Sequence, residues 1–136
     1  MFSFKMILAE YCSLNAQTMA YGAFLGGCQD LGETPKACAI REVKEETGFE
    51  VRIERLLGVF SSCCYEYVHY PWKDNEFTHL LFLGTIVGGK PELSDETTDV
   101  AWFSESDLPP LSDGHQIRID FSFRHLESAA TEPFFE

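Results

Sequence analysis

Hydrophobic side chains along this chain fall into short extended runs separated by two segments with helical spacing. Alternating polar and apolar residues at the start of segment 50–61 predict a strand with one buried face. The longer apolar run at 77–89, FTHLLFLGTIVGG, predicts a central strand that ends in a Gly-Gly turn. Three further extended segments are predicted at 4–11, 21–25 and 99–104.

The segment between residues 34 and 48 is predicted to be a helix with both ends marked. Thr34 can cap its amino end, and Pro35 suits the first helical position because the N–H group that proline lacks has no partner there. Gly48 can adopt the left-handed conformation that ends a helix.

A second, closing helix is predicted within 112–128, where Ile117, Phe121 and Leu126 recur at roughly helical spacing. No repeat, low-complexity tract or linker divides the chain, and its 136 residues match the length of one ordinary domain. We therefore predict a single α+β domain spanning residues 1–136.

One face of the first predicted helix carries three carboxylates. At about 100° per residue, Glu42, Glu45 and Glu46 lie on the side opposite the apolar positions. The positions on that other side, which we predict to face the core, are Ile40, Val43 and Thr47. Like charges at this spacing repel by roughly 0.2–0.5 kcal/mol per pair, and clustered carboxylates supply the hard oxygen ligands that Mg²⁺ or Mn²⁺ prefers. From these three residues alone, a solvated acidic surface is at least as good an explanation.

Composition excludes several classes of protein. The chain has 22 acidic and 10 basic side chains, a formal net charge of -12, which argues against binding a nucleic-acid polymer through its phosphates. No run reaches the ~18–20 apolar residues that span a bilayer, and the short apolar start, with Lys5 inside it, does not resemble a signal peptide. We therefore expect a cytoplasmic protein without a membrane or nucleic-acid partner.

The five cysteines indicate reduced thiols, because their number is odd and none stands in a CxxC pair. Cys63 and Cys64 are adjacent and would point to opposite faces of a strand. We expect them to serve packing rather than redox chemistry.

Residues 27–49 read GCQDLGETPKACAIREVKEETGF. This segment resembles the signature of the Nudix hydrolases, GX5EX7REUXEEXGU, in which U is an aliphatic or large apolar residue. The chain matches at every fixed position: Gly27, Glu33, Arg41, Glu42, Glu45, Glu46 and Gly48. By average composition, these seven residues would occur together by chance in roughly one in a million such chains.

The resemblance implies the Nudix fold, a mixed β-sheet sandwiched between helices with a loop-helix-loop catalytic motif. It also implies metal-dependent hydrolysis of a nucleoside diphosphate linked to another group. In the family, the positions of Glu42, Glu45 and Glu46 ligate Mg²⁺ or Mn²⁺, and one glutamate is usually the general base. Glu45 and Glu42 are the candidates for that base. Arg41 matches the residue that orients the glutamates, and Glu33 matches one that braces the motif.

Two further metal ligands are implied by the same resemblance. The carbonyl of Gly26 falls just before the signature, where the family places a ligand. Glu96 lies on an acidic loop comparable to one that often adds a ligand or a base, with Asp95 as a neighbour that could replace it. A solvated acidic loop explains Glu96 about equally well.

The substrate is less well specified. The run GTIVGGKPELSDET followed by WFSESDLPPLS is similar to bacterial ADP-ribose or nucleotide-sugar pyrophosphatases, and we favour that substrate class. Tyr65 and Tyr67 instead match a tyrosine spacing of dinucleoside polyphosphate hydrolases, and a nucleoside triphosphate is a further alternative. Tyr65, Tyr67 and Trp72 could stack on a base, and His69 or His79 could contact phosphate, although packing roles are at least as plausible. A catalytically silent nucleotide-binding module is the non-enzymatic alternative.

Two features depart from the family pattern. Leu25 stands where members commonly have proline, and 26 residues precede the signature, fewer than the family usually has. An absent or abbreviated first strand would expose a sheet edge, which a homodimer could cover.

Overall fold

The computed structural model describes residues 25, 27–65, 76, 78–92, 105–108, 110–111, 115–128 and 130–136, and the backbone of 5–10. The predicted segment 99–104 and all of 21–25 except Leu25 lie outside these residues. A single domain over 1–136 stays a prediction.

A four-stranded mixed sheet forms the centre of the described structure. Its strands are β1 (Lys5–Glu10), β2 (Phe49–Ser61), β3 (Thr78–Gly89) and β4 (Phe134–Phe135), in the order β1-β3-β2-β4. β3 pairs antiparallel with both β1 and β2, which confirms its prediction as a central strand, whereas β4 pairs in parallel with β2. β1 is six residues long and pairs with β3 along its whole length; a homodimer stays a prediction.

Helix α1 (Pro35–Thr47) has the predicted ends. The Thr34 hydroxyl accepts a hydrogen bond from the Ala37 N–H at 3.2 Å, and Pro35 occupies the first turn. Gly48 is left-handed, with φ of 77°, and its N–H donates to the Lys44 carbonyl. Local sequence signals therefore set both boundaries of the helix.

The two helices lie on opposite faces of the sheet. Ala39 and Val43 of α1 pack in one apolar cluster with Val51 and Phe82. The second cluster contains Leu57, Phe60, Leu81 and Leu83, with Phe121 and Leu126 of helix α2 (His115–Glu127) packed against it. Since successive residues of β3 belong alternately to the two clusters, the sheet separates α1 from α2. The predicted sheet sandwiched between helices is confirmed.

The predicted closing helix is present as α2, and Phe121 and Leu126 pack against the sheet, but Ile117 is 43% exposed. The buried positions are His115, Arg118, Ile119, Ser122 and His125. Four of these five residues are polar, so apolar spacing identified only part of the buried face. Burial, with the nearby charges of Arg118 and His79, lowers the pKa of His115 to about 3.

Cys63 and Cys64 do not lie on a strand. They belong to a 3-10 turn, Ser62–Cys64, that directly follows β2, and both are exposed. The expectation that they pack in the interior is therefore wrong. None of the helices in the described part of the chain is long and apolar enough to cross a membrane.

The end of α1 meets the end of β3 through backbone atoms. A Cβ atom added at Gly48 would lie 2.3 Å from the Lys90 carbonyl oxygen, and one added at Gly89 would lie 2.3 Å from the Gly48 carbonyl oxygen. The Glu92 N–H also donates to the Thr47 carbonyl at 2.9 Å. No side chain larger than hydrogen fits between these segments without moving the backbone.

Replacing Gly48 with alanine should lower the free energy of unfolding by about 3 kcal/mol, because left-handed strain of ~1 kcal/mol adds to overpacking against backbone of roughly 1–3 kcal/mol. Gly32→Ala is the matched control: its φ is 83°, but an added Cβ would meet nothing within 4 Å. Gly32→Ala should lower the free energy of unfolding by about 1 kcal/mol, from left-handed strain alone. Urea unfolding measures the free energy of unfolding of both variants. Equal losses in the two would contradict the close approach of the backbone at Gly48.

Candidate active site

The loop before α1 closes against the helix. The Glu33 N–H donates to the Asp30 carbonyl at 3.1 Å, and the Asp30 N–H donates to the Glu33 carboxylate at 3.1 Å. Gly27 passes so close to the helix that an added Cβ would lie 2.3 Å from the Glu42 carboxyl carbon. A larger residue at Gly27 would displace that carboxylate.

Arg41 joins this loop to the acidic face of α1. Its Nε and Nη2 donate to the two oxygens of Glu33 at 2.9 and 3.0 Å, which is the bidentate geometry of strong guanidinium–carboxylate pairs. Its Nη1 donates to Glu42 Oε1 at 2.6 Å and to Glu45 Oε2 at 3.0 Å. Nη2 also donates to the Cys28 carbonyl at 3.0 Å.

Charge around Arg41 is strongly unbalanced. Asp30 lies 3.8 Å from the guanidinium, in addition to the bonded Glu33, Glu42 and Glu45. Four carboxylates around one guanidinium leave a formal charge of -3. Hydrogen bonds from Arg41 and from the Asp30 N–H lower the pKa of Glu33 to about 2. The Glu33 carboxylate in turn raises the pKa of Arg41, with smaller contributions from Glu42 and Glu45.

The three predicted metal ligands share one face of α1 but differ in exposure. The Glu42 side chain is 16% exposed and that of Glu45 is 59% exposed, and Glu46 is half-buried. Within the described ranges, no group of three or more histidine, cysteine or acidic side chains is arranged to hold a metal ion. The other two predicted ligands, Gly26 and Glu96, lie outside those ranges.

The predicted substrate-binding residues are only partly described. Tyr65 packs against the cluster of Leu57 and Phe60 on the α2 face of the sheet, and its hydroxyl donates to Glu136, so the structure does not bring it to the carboxylates of α1. Tyr67, Trp72 and His69 lie outside the described residues. His79 is buried, 1% exposed, opposite Phe60 in the sheet.

Two contributors to the site were missed in the sequence. The Cys28 carbonyl accepts from Arg41, and nothing in a sequence marks a backbone acceptor. The buried Cys38 thiol lies 3.6 Å from Arg41 Nη2 and 3.9 Å from the Gly27 carbonyl oxygen. Its position one helical turn before Arg41 is the signal that could have identified it.

Comparison with known proteins gives several related sequences. An ADP-ribose pyrophosphatase of Methanocaldococcus jannaschii is 31% identical over 96 residues, covering 69% of this chain and 52% of that protein. An NAD-capped RNA hydrolase, NudC, of Pseudomonas entomophila is 37% identical over 97 residues, covering 68% of this chain and 30% of that protein. The chain thus matches about half or less of the length of these curated relatives.

Two solved structures share the architecture. An ADP-ribose pyrophosphatase from Streptococcus suis superposes with a TM-score of 0.65 at 25% identity, covering 79% of this chain and 76% of that one. A UDP-X diphosphatase superposes with a TM-score of 0.69 at 19% identity, covering 96% of this chain and 66% of that one, and this likeness supports the fold alone. The family model described as the NUDIX domain matches residues 12–124. With this match over most of its length, a complete signature and the same fold, the chain belongs to the Nudix family.

Proposed function

We propose that this chain is a pyrophosphohydrolase that cleaves the diphosphate linkage of a nucleoside diphosphate joined to another group. The observation that carries the proposal is the formal charge of -3 around Arg41, where the loop before α1 meets one face of that helix. Such a surplus of carboxylates repels a diphosphate unless a cation lies between them. ADP-ribose or a nucleotide sugar is the favoured substrate, and the Methanocaldococcus and Streptococcus relatives are both named ADP-ribose pyrophosphatases.

The chemistry of the donors on α1 suits a hard divalent cation, although the three glutamates are not gathered around one point in the described structure. Carboxylate oxygens are the ligands that Mg²⁺ prefers, and Glu42, Glu45 and Glu46 would hold it, with the Gly26 carbonyl and Glu96 as further proposed ligands. When bound, Mg²⁺ or Mn²⁺ would neutralise the diphosphate and lower the pKa of a bound water. Arg41 contacts Oε1 of Glu42 and Oε2 of Glu45, and each carboxylate offers about four lone-pair sites, so these bonds do not exhaust their capacity to coordinate.

Arg41 acts here as a positioning residue. By binding Glu33 of the loop and two glutamates of the helix, it fixes the carboxylates relative to one another before substrate arrives. Preorganised charge of this kind needs no rearrangement during the reaction. Glu33 contributes by holding the guanidinium in a bidentate pair.

The general base must accept a proton from the attacking water. Glu45 is the more exposed of the two candidates. Its one hydrogen bond to Arg41 links two residues of α1 that lie one helical turn apart. Glu42 is more enclosed and lies against Gly27, which suits a ligand. Exposure therefore favours Glu45 as the base.

A catalytically silent nucleotide-binding module is the second candidate function. It would use the same carboxylates to bind a cation and nucleotide without turnover. We favour the enzyme because the signature has every fixed acidic residue and the Arg41 network that orients them.

A substrate panel tests this proposal. The chain, incubated with Mg²⁺ or Mn²⁺, should release nucleoside monophosphate from ADP-ribose or a nucleotide sugar faster than from a dinucleoside polyphosphate, a nucleoside triphosphate or NAD-capped RNA. Chelating the cation should abolish release. Turnover of none of these compounds, with retained nucleotide binding, would favour the silent module.

Glu45→Gln and Glu46→Gln should each lower kcat by about 10²–10⁴, since a general base typically contributes that factor and a missing ligand weakens the cation site. Glu50→Gln is the matched control, because Glu50 is an exposed carboxylate close by that pairs with Lys44 at 2.6 Å. Circular dichroism should show that all three variants are folded. Steady-state kinetics should show reduced turnover for Glu45→Gln and Glu46→Gln and unchanged turnover for Glu50→Gln. Full activity in both would remove these residues from the mechanism.

The Glu33–Arg41 pair should make the free energy of unfolding depend on pH. Because the pKa of Glu33 is about 2 in the folded protein and 4.5 ordinarily, its ionised form stabilises the fold above pH 4.5. That contribution disappears as the pH falls from 4.5 towards 2. The stability advantage of the unmodified chain over Glu33→Gln should therefore be constant near neutrality and shrink over this window in urea unfolding.

An NMR titration measures the same pair directly. The Glu33 carboxyl carbon should titrate near pH 2, and Arg41→Gln should move its midpoint upward towards 4.5, since Arg41 is the largest cause of the depression. An unchanged titration midpoint of Glu33 in Arg41→Gln would contradict the proposed pairing of Glu33 with Arg41.

A further inference from the structure

One side chain of the sheet, Arg55 of β2, joins three parts of the structure. Its Nη1 lies 2.9 Å from Nε2 of His125 in α2. The same nitrogen donates to the carbonyl oxygens of Ala130 and Thr131, each at 3.4 Å. These two residues begin the carboxyl-terminal segment, here residues 130–136, which carries β4. Arg55 therefore links the sheet, the second helix and this segment, away from the site proposed for nucleotide hydrolysis.

The contact between Arg55 and His125 requires an uncharged imidazole. A guanidinium has N–H donors and no acceptor, so Nε2 of His125 must accept the hydrogen bond. That nitrogen therefore has no proton, and the ring proton is on Nδ1. A second proton on the ring would remove the acceptor and place two cationic groups 2.9 Å apart.

The surroundings of His125 on the sheet and the helix also disfavour its protonated form. The side chain is 7% exposed, and burial, together with the charge of Arg55, lowers the pKa of its imidazole below the ordinary 6.5. One turn earlier on α2 lie Phe121 and Ser122, which carry no charge, and the adjacent Arg124 is exposed. The described groups of β2 and α2 thus offer a protonated His125 positive rather than negative charge.

The acidic side chains of the carboxyl-terminal segment are engaged elsewhere or exposed. Glu136 accepts from the Ser61 N–H at 2.7 Å and from the Tyr65 hydroxyl, and Glu132 is exposed. The pKa of His125 is shifted by burial and by Arg55, and by neither of these carboxylates. The segment therefore does not compensate the charge that His125 would gain.

The carboxyl-terminal segment is attached to the rest of the domain by a short strand and one aromatic ring. β4 pairs with β2 at two positions, Gly58 and Val59. Phe134 packs on Phe121, and Phe121 stacks on His125, with ring centroids 5.2 Å apart in both pairs. A strand this short can open locally while the sheet beneath it stays folded.

We propose that the contact between Arg55 and His125 holds the carboxyl-terminal segment on β2 at neutral pH and releases it when His125 takes up a proton. Repulsion from the protonated imidazole displaces the guanidinium, and the carbonyl groups of Ala130 and Thr131 lose their donor. The ring stacked on Phe121 becomes a hydrated cation, which loosens the support beneath Phe134. Release uncovers the edge of β2 at Gly58 and Val59.

Proton uptake and docking of the segment oppose each other by linkage. Because docking lowers the pKa of His125, the released state binds the proton more tightly. Docking is therefore undiminished above pH 6.5 and weakens as the pH falls from 6.5 through the lowered pKa. A single proton changes the docking equilibrium by at most about 10-fold per pH unit. Glu136 stays ionised above pH 4.5, because burial raises its pKa but hydrogen bonds from Tyr65 and Ser61 lower it below 4.5.

Hydrogen exchange of the Ser61 amide measures this docking, since its N–H donates to Glu136 only while the segment is in place. The protection factor, corrected for the intrinsic pH dependence of exchange, should be constant above pH 7. It should fall by up to ~10-fold per pH unit between pH 6.5 and 4.5. Amides of β3 should keep their protection, which distinguishes local release from global unfolding.

Two glutamine variants separate His125 from the carboxylates. The amide oxygen of His125→Gln can accept from Arg55 and does not titrate, so protection of the Ser61 amide should be the same at pH 7.5 and 4.5. Glu132→Gln is the matched control, an exposed carboxylate of the same segment, and should retain the pH dependence of the unmodified chain. Circular dichroism checks that both variants are folded.

NMR of the histidine ring nitrogens tests the contact in the unmodified chain, independently of any variant at position 125. At pH 7.5 the proton of His125 should be on Nδ1, and the titration midpoint should lie below 6.5 and move upward in Arg55→Gln. A proton on Nε2, pH-independent protection of Ser61 in the unmodified chain, or unchanged pH dependence in folded His125→Gln would each overturn the inference. None of these readouts requires nucleotide turnover.

Discussion

Arg41 is surrounded by acidic side chains that would otherwise repel one another, and its guanidinium is the positive charge that lets them lie together. It binds both oxygens of Glu33 from the loop and one oxygen each of Glu42 and Glu45 from the helix. A lysine could not make this set of contacts, since an ammonium lacks the planar fork of a guanidinium. The loop-helix-loop geometry therefore depends on one side chain that is charged at every accessible pH.

The remaining negative charge gives the site its chemical character. Arg41 neutralises one of the four nearby carboxylates. Of the four, Asp30 on the loop and Glu45 on α1 are exposed to solvent, and the opposite face of α1 packs against the sheet. The same acidity that argues against a nucleic-acid partner thus favours a cation, and through it a small phosphate-bearing ligand.

Local signals in the sequence predicted the structural features that are determined by residues close together in the chain. Thr34, Pro35 and Gly48 defined α1, and the apolar run of β3 defined a central strand. The buried face of α2 was not predictable in this way, because Arg118 and Ser122 are buried while Ile117 is exposed. The carboxyl-terminal contacts were also missed, since Glu136 meets Tyr65 across 71 positions of sequence. Of the candidate site, the three glutamates of α1 were identified from their spacing and the role of Arg41 from the resemblance to the Nudix signature. The Cys28 carbonyl could not be identified, because a sequence does not mark which backbone carbonyls accept hydrogen bonds.

The backbone contact between Gly48 and Gly89 has a consequence for how the family can vary. Because backbone atoms of Gly48, Gly89 and Lys90 make the shortest of these approaches, the contact at this end of α1 does not require particular side chains at the exposed positions nearby. Exposed neighbours such as Lys90 and Glu92 can change in charge without moving the helix. Substitutions on the exposed surface around the candidate site can therefore change its charge while the end of α1 keeps its place against the end of β3.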